Sequence, residues 1–257
     1  MQKFENNFLV VNVSDNKENY SQRNNTYVHK NNKGVSDVSA STMCNVTSIC
    51  QALDYNGWKF PNLGKFKQPE DALADFIMNS SEVDTFYKTK MPELYKDYKE
   101  GKLDKNKKPA YYTPNELHAC LAYGTNLWLG CTNAVTFKDS CSIMDIVKEL
   151  LEGRACVVSG NFNGFGHIVT LVGARWQFKD VSNKTEAQTI QEILSKKLIP
   201  TSWIIDDPYG DFRQKYKVGT SGNDVVMTSD QFFSMLKPYN NKAVKWCHII
   251  KSGAARA

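Results

Sequence analysis

What the chain lacks narrows the field first. No stretch approaches the ~20 consecutive apolar residues that a membrane-spanning helix needs, so membrane insertion is not expected. Residues 1–20 are polar and Asn-rich apart from Phe8-Leu9-Val10-Val11, which opens a stretch of short-strand character reaching Val13, and they lack the apolar core of a secretory signal. There is no C-x-x-C pair and no histidine pair at ligand spacing, so neither a structural zinc site nor any other cofactor is implied. Seven cysteines, an odd number at irregular spacings, do not form the framework of a disulfide-stapled secreted domain. Reduced thiols and synthesis in a reducing cytosol fit that pattern. The net charge of +5 is mild, and its densest run, Lys102 to Lys108, reads as a solvated loop. No nucleic-acid motif accompanies it, and no internal repeat is visible.

What is present is an ordinary globular composition. With 41% hydrophobic and 23% charged residues, the 257-residue chain can bury one large core or build two lobes around a cleft. From Val46 the apolar residues Ile49, Cys50 and Leu53 recur at helical spacing, with Ser41 or Thr42 as cap and Gly57 as stop. Helical patterns continue after Pro69, after Pro92, in the capping box Thr113-Pro114-Asn115-Glu116, and from Ser142 to Gly153. Beyond Gly153 the period changes to 2. Ala155–Ser159, His167–Gly173, Trp203–Ile205 and Val244–Ile250 read as strands, with helices from Glu186 and from Thr228 or Ser229 between them. Glycines 160, 164 and 166 precede a strand rather than open a helix, so they are no dinucleotide fingerprint. The expectation is an α+β fold in one domain over 1–257, with a helical lobe at about 40–153 and a sheet lobe at about 154–251.

Cys44 stands in the first turn of its helix and off the buried stripe, where the helix dipole favours thiolate. A lone cysteine there is more often a small hydrophobe. Two distant residues change the balance. His167 begins a strand after the glycine-rich turn, and Asp207 ends the Trp203–Ile205 strand just before Pro208. Thiol, imidazole and carboxylate are the three groups that cysteine acyl transfer needs. Asp206 competes with Asp207 for the third role. His118, beside the Leu117 stripe, is a distant second as base; His248 reads as structural and His29 as a loop residue.

Four segments carry a resemblance: Ser21-Gln22-Arg23-Asn24-Asn25, Thr42-Met43-Cys44-Asn45-Val46-Thr47-Ser48, Gly166-His167-Ile168-Val169 and Asp207-Pro208-Tyr209-Gly210. Their order resembles the papain-like cysteine peptidases of the double-glycine leader peptidase type, family 39-like, and within it the phage and bacterial cell-wall hydrolase branch. That resemblance implies a papain-like fold, Cys44 as nucleophile, His167 as base, Asp207 as its orienting acid and Gln22 as oxyanion donor. The link from Gln22 to Cys44 and the segment after Asp180 are longer than the pattern requires. The Cys44 N–H at a helix start and one side-chain amide would together supply two donors to a developing oxyanion.

The implied activity is amide hydrolysis by acyl transfer on peptidoglycan peptides, as in a phage endolysin acting at the bacterial wall. The alternatives are an intracellular protease that processes a protein or leader peptide, a transglutaminase-like or acetyltransferase-like enzyme, and a binding protein with a decayed site. Around the site Asn45, Gly166, Phe165 and Tyr209 are expected to meet substrate, with Asn161, Asn163 and Phe162 nearby. The sequence does not fix the oligomeric state.

Overall fold

The change of period near Gly153 is where helices give way to strands in the computed structural model. It describes residues 2–14, 17–30, 34, 36–100, 102, 114–162, 165–236 and 243–253. The basic run beyond Lys102 and the cap at Thr113 lie outside the described residues.

The chain opens with a hairpin, β1 (Gln2–Glu5) and β2 (Phe8–Asn12), then a 3₁₀ turn at Gln22–Asn24. A small ribbon of β3 (His29–Lys30) and β4 (Ser36–Val38) leads to a second 3₁₀ turn, Ala40–Thr42, that runs directly into α1 (Cys44–Tyr55). Next come α2 (Pro69–Asn79), α3 (Ser81–Lys90), α4 (Pro92–Lys99) and α5 (Pro114–Trp128). β5 (Val135–Ser142), α6 (Ile143–Leu151), β6 (Cys156–Phe162) and β7 (Phe165–Gln177) follow. The last part holds α7 (Glu186–Lys196), β8 (Ser202–Asp206), β9 (Val225–Thr228), α8 (Ser229–Met235) and β10 (Ala243–Ile250).

All four expected strands belong to one antiparallel sheet, ordered β1-β2-β7-β6-β10-β5, with β8 on the other edge of β7 and β9 beyond it. The sheet also takes in β2, on the expected Phe8–Val13 stretch, and three strands not foreseen: β1, β5 and β9. β7 is the axis. Its first half pairs with β6 and its second with β2, while β8 runs along the opposite edge. The register shifts between Leu171 and Gly173, where β7 changes partner.

Strands buried on both faces read as continuous apolar runs, and β6 and β8 do so. One face packs α1, α2 and α5 around Ile49, Leu53, Leu73, Leu121, Val157 and Val172. The other packs α6, α7 and α8 around Ile146, Leu150, Val158, Leu171, Ile193 and Phe232. There Phe232 stacks on Trp203 at 4.7 Å. α6, placed by its sequence position with the earlier helices, therefore covers the opposite face of the sheet.

Gly173 marks a close backbone approach. A Cβ there would stand 2.2 Å from the Val11 carbonyl oxygen and 3.1 Å from Asn12 Cα. Gly173→Ala must push the hairpin away from β7, and it should cost about 1–3 kcal/mol. The expected result is a lower urea midpoint at unchanged m-value.

Candidate active site

The helix that carries Cys44 starts without a side-chain cap. Neither Ser41 nor Thr42 caps it: Met43 occupies the N-cap position and makes no side-chain cap bond. The reason is the preceding 3₁₀ turn, which uses Thr42. Its Oγ1 accepts the Ser39 N–H at 3.1 Å and donates to the Ser39 carbonyl at 3.0 Å. First-turn N–H groups of a helix have no intrahelical acceptor, so an uncapped start leaves donors beside the thiol. At the far end Gly57, with φ +83°, stops α1 as expected. Cys44 is half-buried, whereas Val46, Ile49, Cys50 and Leu53 are buried in the helical layer.

β7 and the end of β8 bring the other two groups together. His167 Nε2 lies 2.7 Å from Asp207 Oδ1, and the same imidazole hydrogen-bonds the Cys44 thiol. His167 is 3% exposed and Asp207 is fully buried, so little water screens the pair. Burial by itself would pull the imidazole down. The hydrogen bonds and negative charges of Asp207 and Cys44 outweigh it and raise His167 to about 10.

Asp207 is fixed on both oxygens. Oδ1 also accepts the Tyr209 N–H at 2.9 Å, and Oδ2 accepts the Tyr216 hydroxyl at 3.2 Å. Gly222 lies so close that a Cβ there would stand 2.0 Å from the Asp207 carbonyl oxygen. Asp206 points the other way, toward α1. Its Oδ2 accepts from Tyr55 at 2.8 Å and Gln51 at 3.3 Å, and its Oδ1 accepts the Asp224 N–H at 2.7 Å. Burial raises Asp206 to about 7. Of the two neighbouring acids, the one on the imidazole is Asp207.

Gln22 is buried in the first 3₁₀ turn and bridges two parts of the site. Its backbone N–H donates to the Pro208 carbonyl at 2.9 Å, and its Nε2 donates to the Ala40 carbonyl at 2.9 Å. Ala40 begins the turn that enters α1, so the amide stands beside the approach to Cys44. Gln22 Oε1 is buried without a hydrogen-bond partner. Farther along, Asn25 Nδ2 donates to Thr47 Oγ1 at 3.0 Å, tying the segment to α1.

Other expected residues fare differently. Asn45 is half-buried and its Oδ1 takes the Val46 N–H at 2.8 Å. Gly166 is exposed, with open space where a Cβ would stand. Tyr209 packs edge-on to His167 at 6.3 Å. Phe165 opens β7 opposite Phe162, but its ring is not among the described side chains, and Asn163 lies outside the described residues. Phe162 does not flank a substrate: it is fully buried beneath His167 and against Phe212. His118 does not line a cleft either. It is buried, with Nδ1 2.9 Å from His248 Nε2, and stacks on Phe137. Burial lowers His118 to about 4, so this pair is neutral packing.

No motif signals Tyr216, or the role of Arg23 beside it. Arg23 donates through Nε to the Tyr209 carbonyl and through Nη2 to the Tyr216 carbonyl, both at 2.8 Å. A polar cleft of about 480 Å³ adjoins these residues, between Ser21 and Arg23 on one side and Tyr209, Thr220 and Asn223 on the other. Among the described residues no group of three or more His, Cys, Asp or Glu is placed to hold a metal ion, and no helix is long and apolar enough to cross a membrane.

A comparison with family profiles matches the Peptidase_C39-like family over residues 15–225, well over half of the chain. The chain belongs to that family. The match spans the segments of Gln22, Cys44, His167 and Asp207, and it makes this C39-like chain a cysteine peptidase by family. The mixed helices and antiparallel sheet are consistent with an α+β papain-like peptidase fold. No curated protein and no solved structure matches the chain.

The His167 shift has a consequence for stability. A folded-state value near 10, against an ordinary value of 6.5, stabilises fully below pH 6.5 and is lost as pH rises through 10. The gap in urea midpoint between wild type and His167→Gln should therefore narrow from pH 6.5 to pH 10. Asp206 titrates in both proteins and cancels from the difference.

Proposed function

We propose that this C39-like peptidase hydrolyses an amide bond through Cys44, His167 and Asp207, with Gln22 as oxyanion donor, and that its substrates are peptidoglycan peptides. The observation that carries the first half is the relay of contacts. One imidazole holds Asp207 at 2.7 Å through Nε2 and bonds the Cys44 thiol, leaving Nδ1 as the nitrogen for sulfur.

On this reading Cys44 Sγ gives its proton to His167 Nδ1 and attacks the scissile carbonyl carbon. Charge builds on the carbonyl oxygen, where the uncapped Cys44 N–H and the Gln22 amide donate. Gln22 Nε2 already spends one hydrogen on Ala40, and its second is the one for the oxyanion. His167 then protonates the leaving amine as the C–N bond breaks. Water, deprotonated by the same imidazole, cleaves the thioester and restores the thiol. Asp207 keeps the ring oriented throughout.

Two features favour wall peptides. The four motifs resemble the cell-wall hydrolase branch most closely. The net charge of +5 would favour residence on an anionic wall and weaken with salt.

Purified protein should clear suspensions of Gram-positive walls and release free amines, faster at low than at moderate salt, and Cys44→Ala should do neither. Cys44-dependent loss of casein with walls intact at every salt would instead assign an intracellular processing protease. Gln22→Ala should lower kcat by ~10²–10³ with little change in KM. Normal turnover in that variant would remove Gln22 from the site.

A further inference from the structure

Asp207 is oriented by a residue that lies nine positions downstream and outside every motif. Two neighbours, Lys215 and Tyr216, both have left-handed backbone, with φ of +53° and +56°. For side chains of this size that conformation costs of order 1 kcal/mol or more each, and it persists only where the surroundings hold it. What holds it here is identifiable. The Tyr216 N–H donates to the Asp211 carbonyl at 3.1 Å, and the Tyr216 carbonyl accepts Arg23 Nη2 at 2.8 Å. Arg23 also lies over the Tyr209 ring at 4.0 Å and holds the Tyr209 carbonyl.

The strained turn delivers one side chain to the site. The Tyr216 ring stands edge-on to His167, 5.9 Å between centroids and 78° between planes, and its hydroxyl donates to Asp207 Oδ2. Tyr209 and Tyr216 also meet edge-on at 5.2 Å. Burial and the adjacent Asp207 carboxylate push Tyr216 above the ordinary phenol range, so it remains a donor.

We propose that Tyr216 is a positioning residue of the catalytic relay, fixing the free oxygen of Asp207 so that Oδ1 faces His167, and that Arg23 holds Tyr216 in place. This rests on the Cys44–His167–Asp207 reading. It gives the Ser21–Asn25 segment two tasks in consecutive residues: Gln22 serves the oxyanion and Arg23 braces the acid.

The physical consequence is directional. The hydroxyl is the donor to a carboxylate oxygen that is fully buried, and without it that oxygen is left without one. The carboxylate can then turn away from the imidazole, and His167 is held less firmly toward the Cys44 thiol. The charged and titratable groups around this oxygen are His167 from β7, Cys44 from α1, Arg23 from the first 3₁₀ turn, and Asp211, which is engaged by Arg213.

The test needs no substrate. The rate of Cys44 with 2,2′-dithiodipyridine is followed from pH 3 to 10, with the Cys44→Ala protein subtracted to remove the other thiols. Tyr216→Phe should slow Cys44 by about tenfold at the plateau of the profile, as expected for the loss of one hydrogen bond to a charged group. Its melting temperature should fall by only a few degrees. Arg23→Gln should slow Cys44 by less, and adding it to Tyr216→Phe should slow it no further. A packing role alone would change melting temperature without changing the plateau rate. A Tyr216→Phe plateau rate equal to that of wild type overturns the proposal. If Tyr216→Phe does not fold, an unchanged Arg23→Gln rate overturns it. A wild-type Cys44 with no acid-side reactivity removes the underlying reading and this proposal with it, and the wild-type curve alone identifies that failure.

Discussion

A hydrogen bond 2.7 Å long between a buried imidazole and a buried carboxylate organises this molecule. Neither His167 nor Asp207 meets more than a trace of water, and His167 depends on Asp207 for the charge it carries. A buried ion pair is stable only when its remaining lone pairs and protons are also satisfied. The fold supplies those partners from separate places: the Tyr209 N–H, the Tyr216 hydroxyl and the thiol at the start of α1. Removing one side of such a pair strands the other, typically at 3–5 kcal/mol. The pair therefore constrains the fold as well as the chemistry.

The end of β8 shows how cheaply one backbone can serve two networks. Successive strand residues point to opposite faces. Asp206 accordingly enters the layer beneath α1, bonded to Tyr55 and Gln51, while Asp207 meets the imidazole. Gln51 continues the first network to Thr170 on β7, three residues after His167. The helix carrying the thiol and the strand carrying the imidazole are thus locked together at a second level below the site. Ser48 reinforces that lock through the Ile168 carbonyl at 3.0 Å.

The parts legible in the sequence are those with local causes. The apolar stripe after Cys44 and the stop at Gly57 located α1 to within two residues. The change of period near Gly153 located β6, β7, β8 and β10. Short motifs in a fixed order pointed to the residues that the fold gathers. What escaped depends on distant partners. β5 reads poorly because its middle is polar and partly exposed, and pairing with β10 more than a hundred residues away decides its state. β2 falls on the expected Phe8–Val13 stretch, but β1 enters the sheet only because β7 is long enough to carry its partner β2 beyond β6. His118 is buried because His248 faces it from another element, and no helical pattern encodes that. Tyr216 reaches Asp207 through two consecutive left-handed residues, neither of them glycine or asparagine, so the usual turn signals are missing.

The central claim is that one of seven cysteines is activated, and that His167 activates it. Timed alkylation by iodoacetamide at pH 6, read by peptide mass spectrometry, tests this most directly. Cys50, Cys120, Cys141, Cys156 and Cys247 are buried, and Cys131 is the other half-buried thiol, which makes it an internal reference. The account predicts that Cys44 is labelled well before Cys131, and that His167→Gln slows Cys44 to the rate of an ordinary thiol. Equal labelling of Cys44 and Cys131, or a Cys44 rate indifferent to His167, would contradict it.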